Sequence, residues 1–585
     1  MAAQLTPDPQ GRWTVGDHRP RPFGELWCRG NVGEVFPNVM TPMSSSLYMG
    51  SVAAGQARAA HQLGMVTTAQ LKDFDPEAAW STGVFGGYLY GNVTLARTAT
   101  ARTPGLTAEM VDEQMFGLHD APTQAAPKGS LELAAIGRTM KLALGALRRA
   151  DDADLRRDQR EIAAYTSQHP DPAGAAGAST ADLLATARSL GPWADRMMYE
   201  LLLRSARAGV ARAAVERLVA KVGDADLVNR LTAGIGNIES AEPALDLWRL
   251  GRLVAADRTL TTVFDAGVEG LEGRLRATGA AAPFVTEFEA FRSRHGARGP
   301  DEWELCSPTW ASDPAIALVM IERLRSAPPE RDPVAVATRL AAERAELVPE
   351  VRRQVPLPAR RLFDAALRSG AAYALQREAT KAAFMRATLP ARTALAELAR
   401  RYGQGHHTFF LLRIEEVEAA MADPASFTGT LAERRQRRDF LQERMPPFWF
   451  EGELPDPATW PLRAERRRPD SSPRTLTGMA ACPGVASGRA RVVLDPADPA
   501  GLEPGDILVA PLTDPAWTPL FLAAAGVVVD VGAQQSHAVI VARELGIPAV
   551  VSATGASTTI PDGAWITVDG SAGTVVVHAA DFEHP

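Results

Sequence analysis

The stretch DVGAQQSHAVIVARELGIPAVV, Asp530 to Val551, decides how the C-terminal part of this chain is read. Val527 to Val529, just ahead of it, form a short apolar run of the kind a buried strand shows. Gly532 to Gln535 read as a turn. Ser536 is a good N-cap, which places His537 in the first turn of a helix running to Leu545. Gly546 ends that helix, Pro548 forbids its continuation, and Ala549 to Val551 begin the next strand. A helix N-terminus offers unpaired N–H groups and the positive end of the dipole, which suits a phosphate. The same field favours a neutral imidazole, the nucleophile needed for attack on a phosphoryl group. This reading puts His537 on an exposed helix start. A lone histidine there is more often decoration than chemistry, so the surroundings must decide.

Working outward, residues from about Leu476 fall into short β runs with Gly and Pro turns: RARVVL, DILVAPL, GVVVDVG, IPAVVSA, AWITVDG and GTVVVHA. They predict a small α/β domain over 475–585. The segment before it, 451–474, is rich in Pro and charge and reads as an interdomain linker. Residues 1–450 read as one mainly helical acceptor-substrate domain with some β. Its first 120 or so residues mix Gly, Pro and β-prone pieces such as GVFGGYLYGNVTL. The rest is Ala-, Leu- and Arg-rich and helical, broken at Gly296 to Pro314. The expected fold is therefore multidomain, largely α-helical first and α/β at the C-terminus.

Bulk properties narrow the function. A formal net charge of -7 in 585 residues gives no electrostatic reason to expect nucleic acid or a membrane surface. Cys28, Cys306 and Cys482 are far apart, so neither a disulfide framework nor a metal site is expected. With no leader-like start and no apolar run near 18 residues, a cytoplasmic protein is expected. Lysine is scarce: Lys72, Lys128, Lys141, Lys221 and Lys381 are the only five among 62 basic residues. One of them lies in QREATK, Gln376 to Lys381, where Arg377 and Lys381 share a face of a predicted helix. Two cations there can hold a phosphoryl group in transit, with Glu378 orienting them or taking a proton from an acceptor hydroxyl. On these residues alone the blander reading, a solvated charged face, is favoured; the rarity of lysine weighs against it only together with the resemblance of QREATK described below. His406 and His407 read as a loop pair, His295 likewise as structural, and Cys306 and Trp310 as packing.

The segment Gly532 to Val551 resembles the mobile domain of phosphoenolpyruvate-utilising enzymes, with Ser536, His537, Ala538, Ala542, Arg543, Glu544 and Gly546 to Ala549 on the family's pattern. ACPGVASGRARVV (from Ala481), LEPGDILVAPLTDPAWTPLF with Thr513, Asp514 and Trp517, and IPDGAWITVDGSAGTVVV resemble three further family elements, in order. Ala533 and Gln535 depart from the usual residues. The resemblance implies a swivelling phosphohistidine domain, with His537 the carrier and Ser536, Thr513 and Arg543 supporting it.

The earlier zone resembles, more weakly, the central domain of rifampicin phosphotransferases. The carrying segments are NVGEVFPNVMTPMSSS, GGYLYGNVTL, HGARGPDEWELCSPTWASDP and QREATK. Tyr88 stands where an Arg is usual. The resemblance implies Asn92, Arg298 and Glu302 as acceptor-binding residues. No GxxxxGK[ST] loop or ATP-grasp-like region is visible, and no pyruvate barrel follows the histidine domain. The expectation is a phosphotransferase subunit similar to those of phenylphosphate-type synthases. ATP and Mg²⁺ would be bound by a separate ATP-grasp subunit, the acceptor would be a phenol or other hydroxyl compound, and this chain would hold no cofactor or metal itself. A rifamycin-type acceptor and a non-catalytic phosphocarrier are the alternatives.

Overall fold

The structure is a computed structural model. It describes residues 7, 12–18, 25–76, 78–98, 107–112, 116–117, 133–148, 151–169, 172–222, 226–236, 238–463, 474–494, 501–513, 517–533 and 536–578. The chain divides into two compact units, and the division does not fall at 450. One unit holds Met1–Val210, Trp303–Cys306 and Ala372–Glu465; the other holds Ala211–Glu302, Ser307–Ala371 and Arg466–Pro585. The expected single helical domain over 1–450 is thus split, and its middle part groups with the C-terminal domain.

The first unit carries a four-stranded antiparallel sheet of β1 (Leu26–Cys28), β2 (Thr82–Phe85), β3 (Tyr88–Asn92) and β4 (Trp449–Glu451), in the order β2-β3-β1-β4. β2 and β3 form a hairpin whose two-residue turn, Gly86-Gly87, has φ of 58° and 74°. Both signs are positive, which is why two glycines sit there. The buried Asp17 pins this turn by accepting the Gly87 N–H at 2.8 Å. Aromatic rings fill the core under the sheet: Trp27, Phe85, Tyr88, Tyr90, Phe450 and Trp460. The expected linker is therefore ordered at its start. Glu451 pairs with Leu26, Trp460 is buried, and the Arg463 N–H reaches Glu443 O at 2.8 Å. Its remainder, 464–473, lies outside the described residues. The QREATK segment lies on the 43-residue helix Arg360–Tyr402.

The second unit combines helices, among them Glu242–Ala256, Pro314–Arg325 and Pro333–Gln354, with an eight-stranded mixed sheet. Its strands are β5 (Arg474–Thr477), β6 (Met479–Cys482), β7 (Val485–Val492), β8 (Ile507–Ala510), β9 (Gly526–Val529), β10 (Ala549–Val551), β11 (Trp565–Asp569) and β12 (Thr574–Val577). Their order is β5-β12-β11-β7-β8-β9-β10-β6. β7, β8, β9 and β10 are mutually parallel neighbours, and the helices Thr518–Ala523 and His537–Leu545 make the β8–β9 and β9–β10 crossovers. Successive residues of these strands are buried on opposite faces. Leu508 and Ala510, Val527 and Val529, and Ala549 and Val551 face the helices. Ile507, Val509, Val528 and Val550 face the other core. Two buried faces explain the unbroken apolar runs in the sequence.

β5 and β6 lie at opposite ends of the strand order yet are separated by Gly478 alone. One continuous strand therefore seals both edges, and the sheet must curl until they meet. A Cβ at Gly478 would lie 2.5 Å from Val551 O. Gly478→Ala should force the edges apart and destabilise the C-terminal domain by about 1–3 kcal/mol, the usual cost of overpacking. Urea unfolding monitored by hydrogen exchange of β10 and β12 tests this; an unchanged midpoint would show that closure does not depend on that approach.

Candidate functional site

Three chain segments meet at the C-terminal ends of the parallel strands, the place where open α/β sheets put their chemistry. Thr513 follows β8, Thr518 begins the crossover helix Thr518–Ala523, and His537 begins the helix that follows β9. The helix around His537 forms as its sequence indicates. Ser536 has extended φ/ψ and its side chain accepts the Val539 N–H, while Gly546 closes the other end at φ 61° in the left-handed region. The loop before it is tied down twice. Ser557 donates its N–H and Oγ–H to the Asp530 carboxylate at 2.7 and 2.5 Å, and Ser552 Oγ donates to Gly532 O. Ala533 is fully buried without a positive φ, so its departure from a usual glycine is accommodated. Gln535 and Asp514 lie outside the described residues.

The ring is not exposed as the sequence suggested: His537 is 9% accessible. Its Nδ1 lies 3.3 Å from Thr513 Oγ1 and its Nε2 3.1 Å from Thr518 Oγ1, with the Phe521 ring meeting it edge-on. A neutral imidazole needs one acceptor and one donor, and a hydroxyl supplies either, so both tautomers are satisfied. Each nitrogen is also covered, so one threonine must turn away before the ring can attack phosphorus. Sequence reading found Thr513 but missed Thr518. Its only signal was a hydroxyl residue directly before a proline at a helix start.

Arg543 does not join this group in the described arrangement. It lies six residues along the helix, about 9 Å further up the axis. Its Nε–H goes to Ala481 O at 2.9 Å, and burial lowers its pKa to about 9. It ties the helix to β6. Two carboxyls of the domain are perturbed in the other sense, Asp530 and Glu544, each raised to about 7 chiefly by burial.

The residues read as acceptor-binding fall into separate clusters. Arg298 Nε donates to Glu302 at 2.5 Å in a fully buried pair of the second unit. Asn92, in the first unit, caps a helix: its Oδ1 accepts the Leu95 N–H at 2.8 Å, and its Nδ2 donates to Trp80 O and Glu25. These bonds make Asn92 a structural residue in the described arrangement. Arg377 and Glu378 pair directly at 2.9 Å, with Lys381 one turn on and half-buried. Thr380, between them, accepts from Arg204, and Gln376 donates to Asp151 O at 3.0 Å, so the adjoining face of this helix is fixed in the first unit.

Glu304, which sequence reading passed over, accepts from Thr41 N–H, Thr41 Oγ–H, Ser44 Oγ–H and Cys306 N–H at 2.6–3.0 Å. That is what the TPMSS segment does: it binds a buried carboxylate. Cys306 Sγ lies 3.2 Å from His407 Nδ1, and His406 Nε2 meets Cys306 O at 3.1 Å. His295 pairs with Asp246 at 2.9 Å, and Trp310 packs on Phe291.

Residues 502–573 match the family model described as the PEP-utilising enzyme mobile domain. The C-terminal domain of this chain is thus similar to the mobile domain of PEP-utilising enzymes. A second model, the rifampicin phosphotransferase fourth domain, matches residues 208–378. The prodigiosin synthesizing transferase PigC of Serratia marcescens is 31% identical over 371 residues, 61% of this chain and 40% of that protein. A rifampicin phosphotransferase of Streptomyces sp is 32% identical over 377 residues, 61% of this chain and 42% of the relative. The phosphoenolpyruvate synthase of Aeropyrum pernix is 49% identical over 109 residues, 18% of this chain and 13% of the relative. The chain thus spans less than half the length of these curated relatives. Among the described residues no helix is long and apolar enough to cross a membrane, and no metal-binding cluster occurs.

Two predictions follow from this geometry. His537→Ala leaves two threonine hydroxyls facing a cavity and should destabilise the domain by about 1–3 kcal/mol, unlike a change on an exposed helix start. Chemical denaturation of the variant measures this, and a loss below a few tenths would contradict the buried ring. The second concerns pH. A carboxyl whose pKa is higher in the fold than its unfolded value of about 4 binds its proton more tightly when folded. The stability that Asp530 and Glu544 contribute is therefore present in acid and lost as pH rises through about 7. The urea midpoint of the wild type should fall between pH 5 and 8, and Asp530→Asn should flatten that fall. An equally steep fall in the variant would remove Asp530 from the account.

Proposed function

We propose that this chain is a phosphotransferase in which His537 carries a phosphoryl group from a nucleotide-derived donor to a hydroxyl of an organic acceptor. The observation that carries the reading is the imidazole at the start of the crossover helix, held between two threonine hydroxyls in a domain that matches the PEP-utilising mobile domain. In the first step a ring nitrogen forms a P–N bond as the P–O bond to the donor's leaving group breaks. In the second the acceptor oxygen attacks the same phosphorus, the P–N bond breaks, and the hydroxyl proton passes to a base. Ser536 holds the helix start, and Thr513 and Thr518 set the orientation and tautomer of the ring. Arg377 and Lys381 offset the charge of the phosphoryl group in flight, with Glu378 orienting Arg377 or taking the proton. Arg298 and Glu302 act as a buried pair that shapes the acceptor side.

The donor reading is ATP with Mg²⁺ on a separate ATP-grasp subunit: of its three phosphates one stays on AMP, one passes to His537, and one leaves as inorganic phosphate when water cleaves the second anhydride bond. The acceptor reading covers phenols and larger hydroxylated compounds. The match of residues 208–378 to the rifampicin phosphotransferase fourth domain, with a rifampicin phosphotransferase 32% identical over 377 residues, supports a bulky natural-product hydroxyl beside a simple phenol.

The test is single-turnover transfer from protein phosphorylated on His537 to a panel of phenols, alcohols and rifamycins. Acid-labile phosphate should sit on His537 and vanish in His537→Ala. Lys381→Ala should accept label normally but pass it on about a hundredfold or more slowly, the scale of losing one preorganised charge. Arg377→Ala should behave alike, and the two losses should not add if both hold the same oxygens. Acid-stable label on another residue sinks the relay. If both variants lose label at the wild-type rate with no panel member phosphorylated, a phosphocarrier is the better reading.

A further inference from the structure

We propose that the helices of residues 242–354 form a seat that holds the phosphohistidine domain in a closed state, and that the helix Thr518–Ala523 is the part through which the seat keeps His537 covered. The idea rests on the relay reading above in one respect: a ring with both nitrogens covered must open to be phosphorylated.

The seat grips this short helix along its length. Its residues Leu520, Phe521 and Leu522 share one apolar cluster with Leu247 and Leu250 of Glu242–Ala256 and with Leu318 and Ile321 of Pro314–Arg325. At its C-terminal end, where carbonyls lack intrahelical partners, Arg331 donates from Nη1 to Ala523 O and Ala524 O at 2.6 and 2.5 Å. A guanidinium on two terminal carbonyls is both a hydrogen-bonded cap and a favourable charge at the dipole's negative end. At its N-terminal end Thr518 reaches His537 Nε2. Arg331, the helix and Thr518 therefore form one mechanical line ending on the ring. A second contact backs it: Gly546, at the end of the histidine's own helix, sits where an added Cβ would lie 3.2 Å from Val336 Cγ1 of Pro333–Gln354.

Two features mark this as a seat rather than a permanent core. A crevice of about 170 Å³, open to solvent, runs into the seam between Ile316, Val319 and Met320 on the helical side and Pro519, Leu520 and Ala523 on the other, so the two sides are incompletely packed there. The α/β domain also has a second apolar core on the far face of its sheet, built from its own residues alone, Ala490 to Val577. It can keep its shape when the near face is uncovered.

The experiment uses the full chain, first without donor or acceptor and then, in a second arm, with the phosphoryl donor added. Arg331→Ala removes the cap, and Val319→Arg places a charge in the seam from a half-buried position. Acylation of His537 by diethyl pyrocarbonate, read by peptide mass, reports how often the ring is uncovered. Hydrogen exchange of Thr518–Ala523 and β9 shows whether the helix has loosened while the sheet stays folded. Both variants should raise the His537 acylation rate about tenfold, the scale of losing a charge-assisted pair of hydrogen bonds. Exchange should speed up in the short helix and not in β9, and His578 on β12's side should react as in wild type. If His537 acylation and helix exchange match wild type in both variants, there is no such seat. If Val319→Arg unfolds, Arg331→Ala decides alone. Faster acylation with no phosphate ever found on His537 would sink the relay and keep the seat. Phosphate arriving at the wild-type rate in Arg331→Ala would do the reverse.

Discussion

Four parallel strands buried on both faces leave little room for polar chemistry along their length. An unpaired polar group on either face would cost about 1–3 kcal/mol. The strand ends are the one exit. β8 and β9 hand the chain to loops whose next residues carry hydroxyls and an imidazole, and the crossover helices begin there. The position of His537, the approach of Thr513 and Thr518, and the tying of the loop by Ser552 and Ser557 all follow from that geometry. The β8–β9 ladder and the cores on both faces, with Val509, Val528 and Val550 on the far one, together fix the distance between the two loops.

How legible each part was depends on how local its cause is. The helix at His537 was readable because its start and stop are encoded in adjacent residues, a serine cap and a glycine followed by a proline. The β2–β3 hairpin lies in GVFGGYLYGNVTL, which read as β-prone, though its turn at the two glycines was not drawn from the sequence. What stayed hidden is non-local. β4 is three residues whose only reason to be a strand is β1, more than 400 positions earlier, so the segment read as the edge of a linker. Ring burial was missed because it comes from Thr518 and Phe521, on a different crossover. Asn92 read as a candidate ligand, but its neighbours already use its amide at a helix cap. The scarcity of lysine singled out Lys381 from composition. The helix it sits on was predictable; the pairing of Arg377 with Glu378 needed coordinates.

The arginine-rich composition divides in a similar way. Many of these guanidiniums hold backbone together rather than meet ligands. Arg331 caps a helix, Arg392 binds Glu304 O and Leu305 O, and Arg543 fastens a helix to β6. A planar group with five donors suits that work better than an ammonium does. Positions where lysine persists in such a background are therefore informative about charge, whereas positions of arginine are informative mainly about architecture.

The strand made of β5, Gly478 and β6 has a mechanical side. It is the first element of the α/β domain, so any tension arriving along the chain from the direction of Glu465 acts on it first. Its two halves are bonded to β12 and to β10 on opposite edges of the sheet. A pull along its axis loads both ladders in shear, with many hydrogen bonds sharing the force at once, instead of peeling them one at a time. A domain built this way can be towed by its leading strand without being unravelled by it.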